Sequence, residues 1–507
     1  MSAVEQPAGG DAGAWRASDR WLLGIIFAIV TFWLFAQTLL NVIPAIQGSL
    51  GLKSTVANLA VSVTALMSGL FIVVFGGLAD HVGRGTILRL GIALSIAGSL
   101  LIALTPAKQG ALTATMIMAG RIVQGLSAAC VMPSSLALIK DFYDGHARER
   151  ALSFWSIGSW GGSGFCSLFG GLMAVSFLGW RSIFWISIAV AALALYLTRD
   201  TPVSRVAGTA TPHRFDWSGL IAFVLAMLAI NIVISQGPRL GWFSGASLGL
   251  IVAFVVFILA FFWVETHKPG PFVDLSIFDN KTFAGATLSN FLLNGSAGTL
   301  VVALGLVQHA AGWSSLHAGL LTLGYLVAIV ATIRVGEKLL QRYGPKRPMM
   351  WGTSITAVGI ILTSLTFLLI GQYTVVAFIG FTLYGVGLGF YATPSTDAAM
   401  SSVSDDRAGE AAGLYKMASS LGSAFGVAIS AAIYTAAAHV PPHLVPHIFF
   451  GRQSNVALRF GGGLGLLFNV FMCLVALISI IVAVPEAQPD EQRAARPQVP
   501  ASPSFGS

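Results

Sequence analysis

Apolar residues in this chain run together in stretches of about 18 or more, broken only by short polar clusters, and that length matches a bilayer core. They predict about fourteen spanning helices, at approximately 21–46, 56–78, 86–105, 112–139, 152–174, 180–198, 217–236, 245–264, 283–307, 317–338, 349–370, 373–400, 410–437 and 463–484. Helices are the form that fits, because a membrane barrel leaves a weak alternating pattern rather than continuous apolar runs. The expected fold class is an all-α polytopic membrane protein.

Six predicted spans precede a central pair, 217–236 and 245–264, and six follow it. The flanking sets repeat one another. Span 4 is expected to end in Met132-Pro133-Ser134-Ser135 and span 12 in Thr393-Pro394-Ser395-Thr396. Gly83 follows Asp80 between spans 2 and 3, and Gly344 stands at the matching place after Gln341-Arg342-Tyr343. Such duplication places two bundles about a pseudo-two-fold axis. The organisation expected is a cytoplasmic tail at 1–20, a six-helix bundle at 21–198, two extra helices with flanking loops at 199–282, a second six-helix bundle at 283–484 and a disordered tail at 485–507.

Composition and charge sharpen this. Hydrophobic residues make up 55% of the chain and charged ones 9%, which excludes an ordinary soluble domain. The net charge of +8 comes from basic residues grouped on one side, among them Arg84, Arg89, Arg148, Arg150, Arg342, Lys346 and Arg347. That asymmetry predicts both termini in the cytoplasm, and it explains the charge without nucleic acid. The opening segment lacks the short core and cleavage site of a signal peptide. Cys130, Cys166 and Cys473 read as packing residues inside spans, not as a disulfide framework. His439, His443 and His447 recur in the loop 438–462, but Pro441, Pro442 and Pro446 interrupt any helical ligand geometry, so no metal is expected. No phosphate loop, nucleophile elbow or zinc-protease motif is present, so neither a cofactor nor an enzymatic reaction is expected.

The run Gly76-Gly77-Leu78-Ala79-Asp80-His81-Val82-Gly83-Arg84 is a short polar hairpin between spans 2 and 3. It resembles the cytoplasmic loop signature of the major facilitator superfamily, which implies two bundles rocking about a central substrate site. By that resemblance Gly76, Asp80, Gly83 and Arg84 form a gating loop, with Asp80 near the start of span 13, around Ala408 to Gly413. A carboxylate there is favoured by the helix dipole; the plainer reading is a solvated turn whose charges set topology.

Polar residues inside spans are costly and point to a cavity or to polar partners. Arg121 and Gln124 share a face of span 4. The pattern Arg-x-x-Gln-Gly resembles the superfamily motif in which the Arg is implicated in proton transfer or substrate orientation; bonding to neighbouring carbonyls is the structural alternative. Gln37 and Asn41 share a face of span 1, and Asn290 and Asn294 share one of span 9, so both pairs are expected to line the cavity. Trp33 and Trp155 are candidate stacking surfaces. Gly158, Gly161 and Gly162 in span 5 are expected at a close contact between the bundles. Asp397 and Glu410 are further candidates for carrying a proton.

Fourteen spans, with Phe215-Asp216-Trp217-Ser218-Gly219 opening span 7, resemble the fourteen-span drug:proton antiporter family. The stretches Trp155-Ser156-Ile157-Gly158-Ser159-Trp160-Gly161-Gly162 and Tyr391-Ala392-Thr393-Pro394-Ser395-Thr396-Asp397 are closer still to its quinolone-efflux members. The resemblance implies a monomeric exporter of amphipathic small molecules, such as quinolones, dyes or tetracycline, driven by protons across the inner membrane. Two departures bear on coupling: Gln37 stands where many such pumps carry an Asp, and Cys166-Ser167 where they carry Gly-Pro. The competing readings are an importer of a neutral metabolite and a non-transporting receptor or assembly protein.

Overall fold

The computed structural model describes residues 17–52, 54–204, 216–241, 243–267, 275–313, 315–437, 440–449 and 455–486. Counting an interrupted helix once, fourteen long helices are found among them. They are α1 (19–50), α2 (Ser54–Val82), α3 (Arg84–Ala103), α4 (Ala111–Phe142), α5 (145–175), α6 (Arg181–Leu197) and α7 (Trp217–Leu240). Then follow α8 (Gly245–His267), α9 (281–311), α10 (Leu323–Tyr343), α11 (Lys346–Thr363), α12 (Ile370–Ser401), α13 (Ala408–Ala437) and α14 (Val456–Ala483). Among the described residues, ten helical stretches are long and apolar enough to cross a membrane.

Local chemistry sets several ends. The Ser18 side chain accepts from the backbone of Trp21 and starts α1, and Asn280 accepts from Thr282 and Phe283 at the start of α9. The turns after α2 and α10 both need positive φ, and both hold glycine: Gly83 at 123° and Gly344 at 72°.

Three helices are interrupted. A π segment spans Thr31–Ala36 in α1, another spans Ile157–Gly161 in α5, and α9 breaks between Gly295 and Gly298. Continuous apolar runs gave no sign of these breaks. As the predicted spans 112–139 and 373–400 imply, the prolines do not end their helices: α4 continues through Pro133 to Phe142, and α12 through Pro394 to Ser401. A proline removes one backbone donor, and the hydroxyls beside Pro133 bond to carbonyls of the same helix. Ser134 donates to Cys130 and Ser135 to Met132.

Helices α1–α6 pack with one another, as do α9–α14. The packing relies on small residues that let backbones approach; a Cβ on Gly359 of α11 would come within 2.6 Å of the Gly380 carbonyl of α12. The two sets meet along two matching seams. In one, α2 and α4 pack against α13; in the other, α10 and α12 pack against α5. Helices α7 and α8 pair with each other, and α7 leans on α2 and α13 beside the first seam.

Candidate functional site

Glycines bring the bundles together. At the first seam, a Cβ on Gly413 of α13 would lie 3.1 Å from Val73 Cα of α2, and Gly76 lies against Gly409. At the second, Gly161 of α5 faces Val330 of α10, and Gly164 faces Tyr325. The expectation for the other two glycines is corrected. Gly158 faces Ile26 and Gly162 faces Trp33, both on α1 of the same bundle. The π segment lies between these positions and changes the register, so an i, i+4 pair does not define the seam-facing side.

Between the seams lies a small cavity of about 60 Å³. The first bundle lines it with Trp33, Ser159, Trp160 and Ser163. The second contributes Asn294 of α9, Tyr325 of α10, Tyr384 of α12 and Lys416 of α13, with Leu293 and Leu388 between them. The Tyr325 and Tyr384 ring centroids are 5.3 Å apart.

Lys416 is a lining residue absent from the site candidates expected from the sequence. It is 4% exposed, and its ammonium sits 4.3 Å from the centroid of the Trp155 ring, across the seam on α5. Trp155 is itself fully buried, held by a 2.9 Å bond from Nε1 to Ser135, so it backs the cavity instead of lining it. A lysine eight residues into α13, about 12 Å along its axis, was the available signal.

Behind Asn294 a polar network ties the second bundle. Asn294 Nδ2 donates to Asn290 Oδ1 at 2.8 Å, and Asn290 Nδ2 donates to the Tyr415 carbonyl and to Ser419. The hydroxyls of Ser289, Tyr391, Ser395 and Tyr415 continue it at 2.7–2.9 Å. Thus Asn294 reaches the cavity and Asn290 does not. Gln37 is half-buried and is not among the lining residues; the Asn41 side chain lies outside the described residues.

Arg121 also departs from expectation. It does not line the cavity; it is buried inside the first bundle, with Nε donating to Ala60 O at 2.8 Å and Nη1 to Ala36 O at 2.8 Å and Gln124 Oε1 at 2.7 Å. Gln124 in turn donates to Ser99. Ala36 ends the π segment of α1, where the regular helical ladder is interrupted, so its carbonyl can take an outside donor. The guanidinium therefore ties α1, α2 and α4 together.

At the face bearing the Asp80 loop, charges bridge the bundles. Asp80 accepts from the backbone N–H groups of Gly409 and Glu410 at 3.2 Å each, at the start of α13. Arg84 donates to Asp80 at 2.8 Å and to the Asp405 carbonyl at 2.8 Å, and also pairs with Asp141. Lys140 pairs with Asp405 at 3.2 Å, and Arg148 lies 3.6 Å from Asp397. Glu410 faces Arg407 at 3.3 Å. These contacts join α2, α4 and α5 to the α12–α13 corner and close this face. Among the described residues, no group of three metal-ligating side chains gathers; His439 lies outside them.

A family model described as Major Facilitator Superfamily matches residues 23–286 and 286–504. The quinolone resistance protein NorB of Staphylococcus aureus strain MRSA252 is 47% identical over 407 residues, covering 80% of this chain and 86% of that protein. The NorB of strain MSSA476 is 47% identical over 409 residues, with 81% and 87% covered. Among solved structures, the proton:xylose symporter XylE bound to 6-bromo-6-deoxy-D-glucose aligns with a TM-score of 0.63 at 16% identity, covering 94% of this chain and 98% of that one. The human organic anion transporter MFSD10 aligns with a TM-score of 0.52 at 16% identity, covering 90% and 98%. The last two speak to the fold alone.

Proposed function

This chain belongs to the major facilitator superfamily, and from that premise we propose that it exports amphipathic, drug-like compounds by alternating access. The observation that carries the reading is the cavity shared by both bundles, rimmed by Trp33, Trp160, Tyr325 and Tyr384. Aromatic faces bind planar solutes with little dependence on their detailed identity. Kinship with quinolone resistance proteins over four-fifths of the chain supports the same substrate class.

The closed Asp80 face is the cytoplasmic side in this reading, with both termini there and all fourteen helices crossing a bacterial inner membrane. The division is two six-helix bundles, 21–198 and 283–484, with 199–282 between them, in a chain working as a monomer. Opening toward the cytoplasm breaks the Asp80, Lys140 and Arg148 bridges, so the loop at Gly76–Arg84 acts as a gate. Protons drive the cycle through carboxylates at this gate. Protonating Asp397 removes its attraction to Arg148, which links proton binding to opening; Glu410 is the second candidate. Arg121 serves by holding α1 against α2 and α4.

The test is accumulation of a fluorescent quinolone in cells with and without the gene. Expressing cells are expected to hold less drug, and an uncoupler to erase the difference. Equal or greater accumulation in expressing cells overturns export.

A further inference from the structure

The cavity lining holds one basic side chain, Lys416, and, among the described residues, no carboxylate. Lys416 is 4% exposed and makes no hydrogen bond or ion pair among the described residues; its contacts are the ring faces of Trp155 at 4.3 Å and Tyr415 at 5.7 Å. A ring face offsets part of the loss of water but accepts none of the three ammonium N–H bonds. A second donor on the lining is also unanswered: Trp33 Nε1 is buried with no acceptor. The nearby amide is already committed, since Asn294 Nδ2 is spent on Asn290.

A buried cation without a counter-ion is costly, and the cost falls when a ligand brings the missing charge. Resting on the export reading above, we propose that the cavity selects compounds bearing a carboxylate or similar anionic group. Lys416 supplies the counter-ion and the Trp33 indole a second donor, while Tyr325 and Tyr384 take the planar body of the solute. The site disfavours permanent organic cations, for which it offers aromatic surface but only repulsion from Lys416.

The experiment compares three probes in proteoliposomes holding the full chain: a quinolone carboxylic acid, its primary carboxamide, and ethidium. The wild type is expected to move the acid about tenfold faster than the carboxamide at subsaturating concentration, the scale of one charge-assisted hydrogen bond. In Lys416→Gln that ratio collapses toward one, and Lys416→Arg keeps most of it. Because the readout is a ratio within one preparation, a lower yield of folded Lys416→Gln does not mimic the effect. Tryptophan fluorescence gives a second measure through binding of the acid to each variant in detergent. An unchanged ratio in Lys416→Gln, or a wild type that moves ethidium and not the acid, overturns the anion preference while leaving export standing. Absence of flux with all three probes overturns export itself, and the anion preference with it.

Discussion

Replacing Arg121 with alanine strips the donors from Ala36 O, Ala60 O and Gln124 Oε1 in one step. Each buried acceptor left without a partner costs about 1–3 kcal/mol. Arg121→Ala is therefore expected to lower the melting temperature in detergent markedly, and Arg121→Lys to lower it less, since one ammonium cannot span all three acceptors. If instead Arg121→Ala melts like the wild type while flux disappears, the residue acts in the transport cycle and not in holding the bundle. The sequence made Arg121 conspicuous but could not show its partners, because carbonyls are present at every position and only the π segment singles out Ala36. Lys416 was obscured for the opposite reason. A single lysine two turns into a helix is an inconspicuous signal, and only the fold shows this one turned onto Trp155.

At the scale of elements, charge holds the seams as much as apolar packing does. Asp80 meets the first turn of α13 with two backbone N–H groups while Arg84 grips its other side, an arrangement in which the helix dipole and an ion pair act on one carboxylate. Losing about 1–2 kcal/mol there shifts the closed–open balance roughly five- to thirtyfold. Asp80→Ala is thus expected to raise labelling of a cysteine placed at Val403 by an impermeant maleimide added from the Asp80 side. The three native cysteines are buried and should give little background. Labelling unchanged from the Asp80 parent sinks the idea that this carboxylate holds the face shut. The meeting of Asp80 with the start of α13 was legible from the loop motif and the repeat. The extent of α4 and α12 beyond their prolines was legible too, since the apolar runs carry on to 139 and 400. The breaks in α1 and α9 were not, because the sequence stays apolar on both sides.

For the whole molecule, the matching seams carry a mechanical consequence. Helices α2 and α13 at one seam correspond to α10 and α5 at the other under the repeat, so a rocking motion that opens one face must slide both helix pairs. A covalent tie across a seam should stop that motion, and an equally short tie inside one bundle should not. Gly161 and Val330 supply the first case, with a Cβ on Gly161 lying 3.1 Å from Val330 Cγ2. Gly158 and Ile26 supply the second, at 3.3 Å from Ile26 Cγ2 and only three residues away along the same helix. The paired variant Gly161→Cys with Val330→Cys is expected to lose drug efflux on oxidation and regain it on reduction. Gly158→Cys with Ile26→Cys should keep efflux in both states, since those residues travel together on one bundle. Full efflux from a quantitatively oxidised Gly161–Val330 pair would mean that the α5–α10 seam stays fixed during transport, leaving only the α2–α13 side to move. That outcome would replace symmetric rocking with a one-sided hinge, and the gate at Asp80 would then have to be the hinge's moving edge.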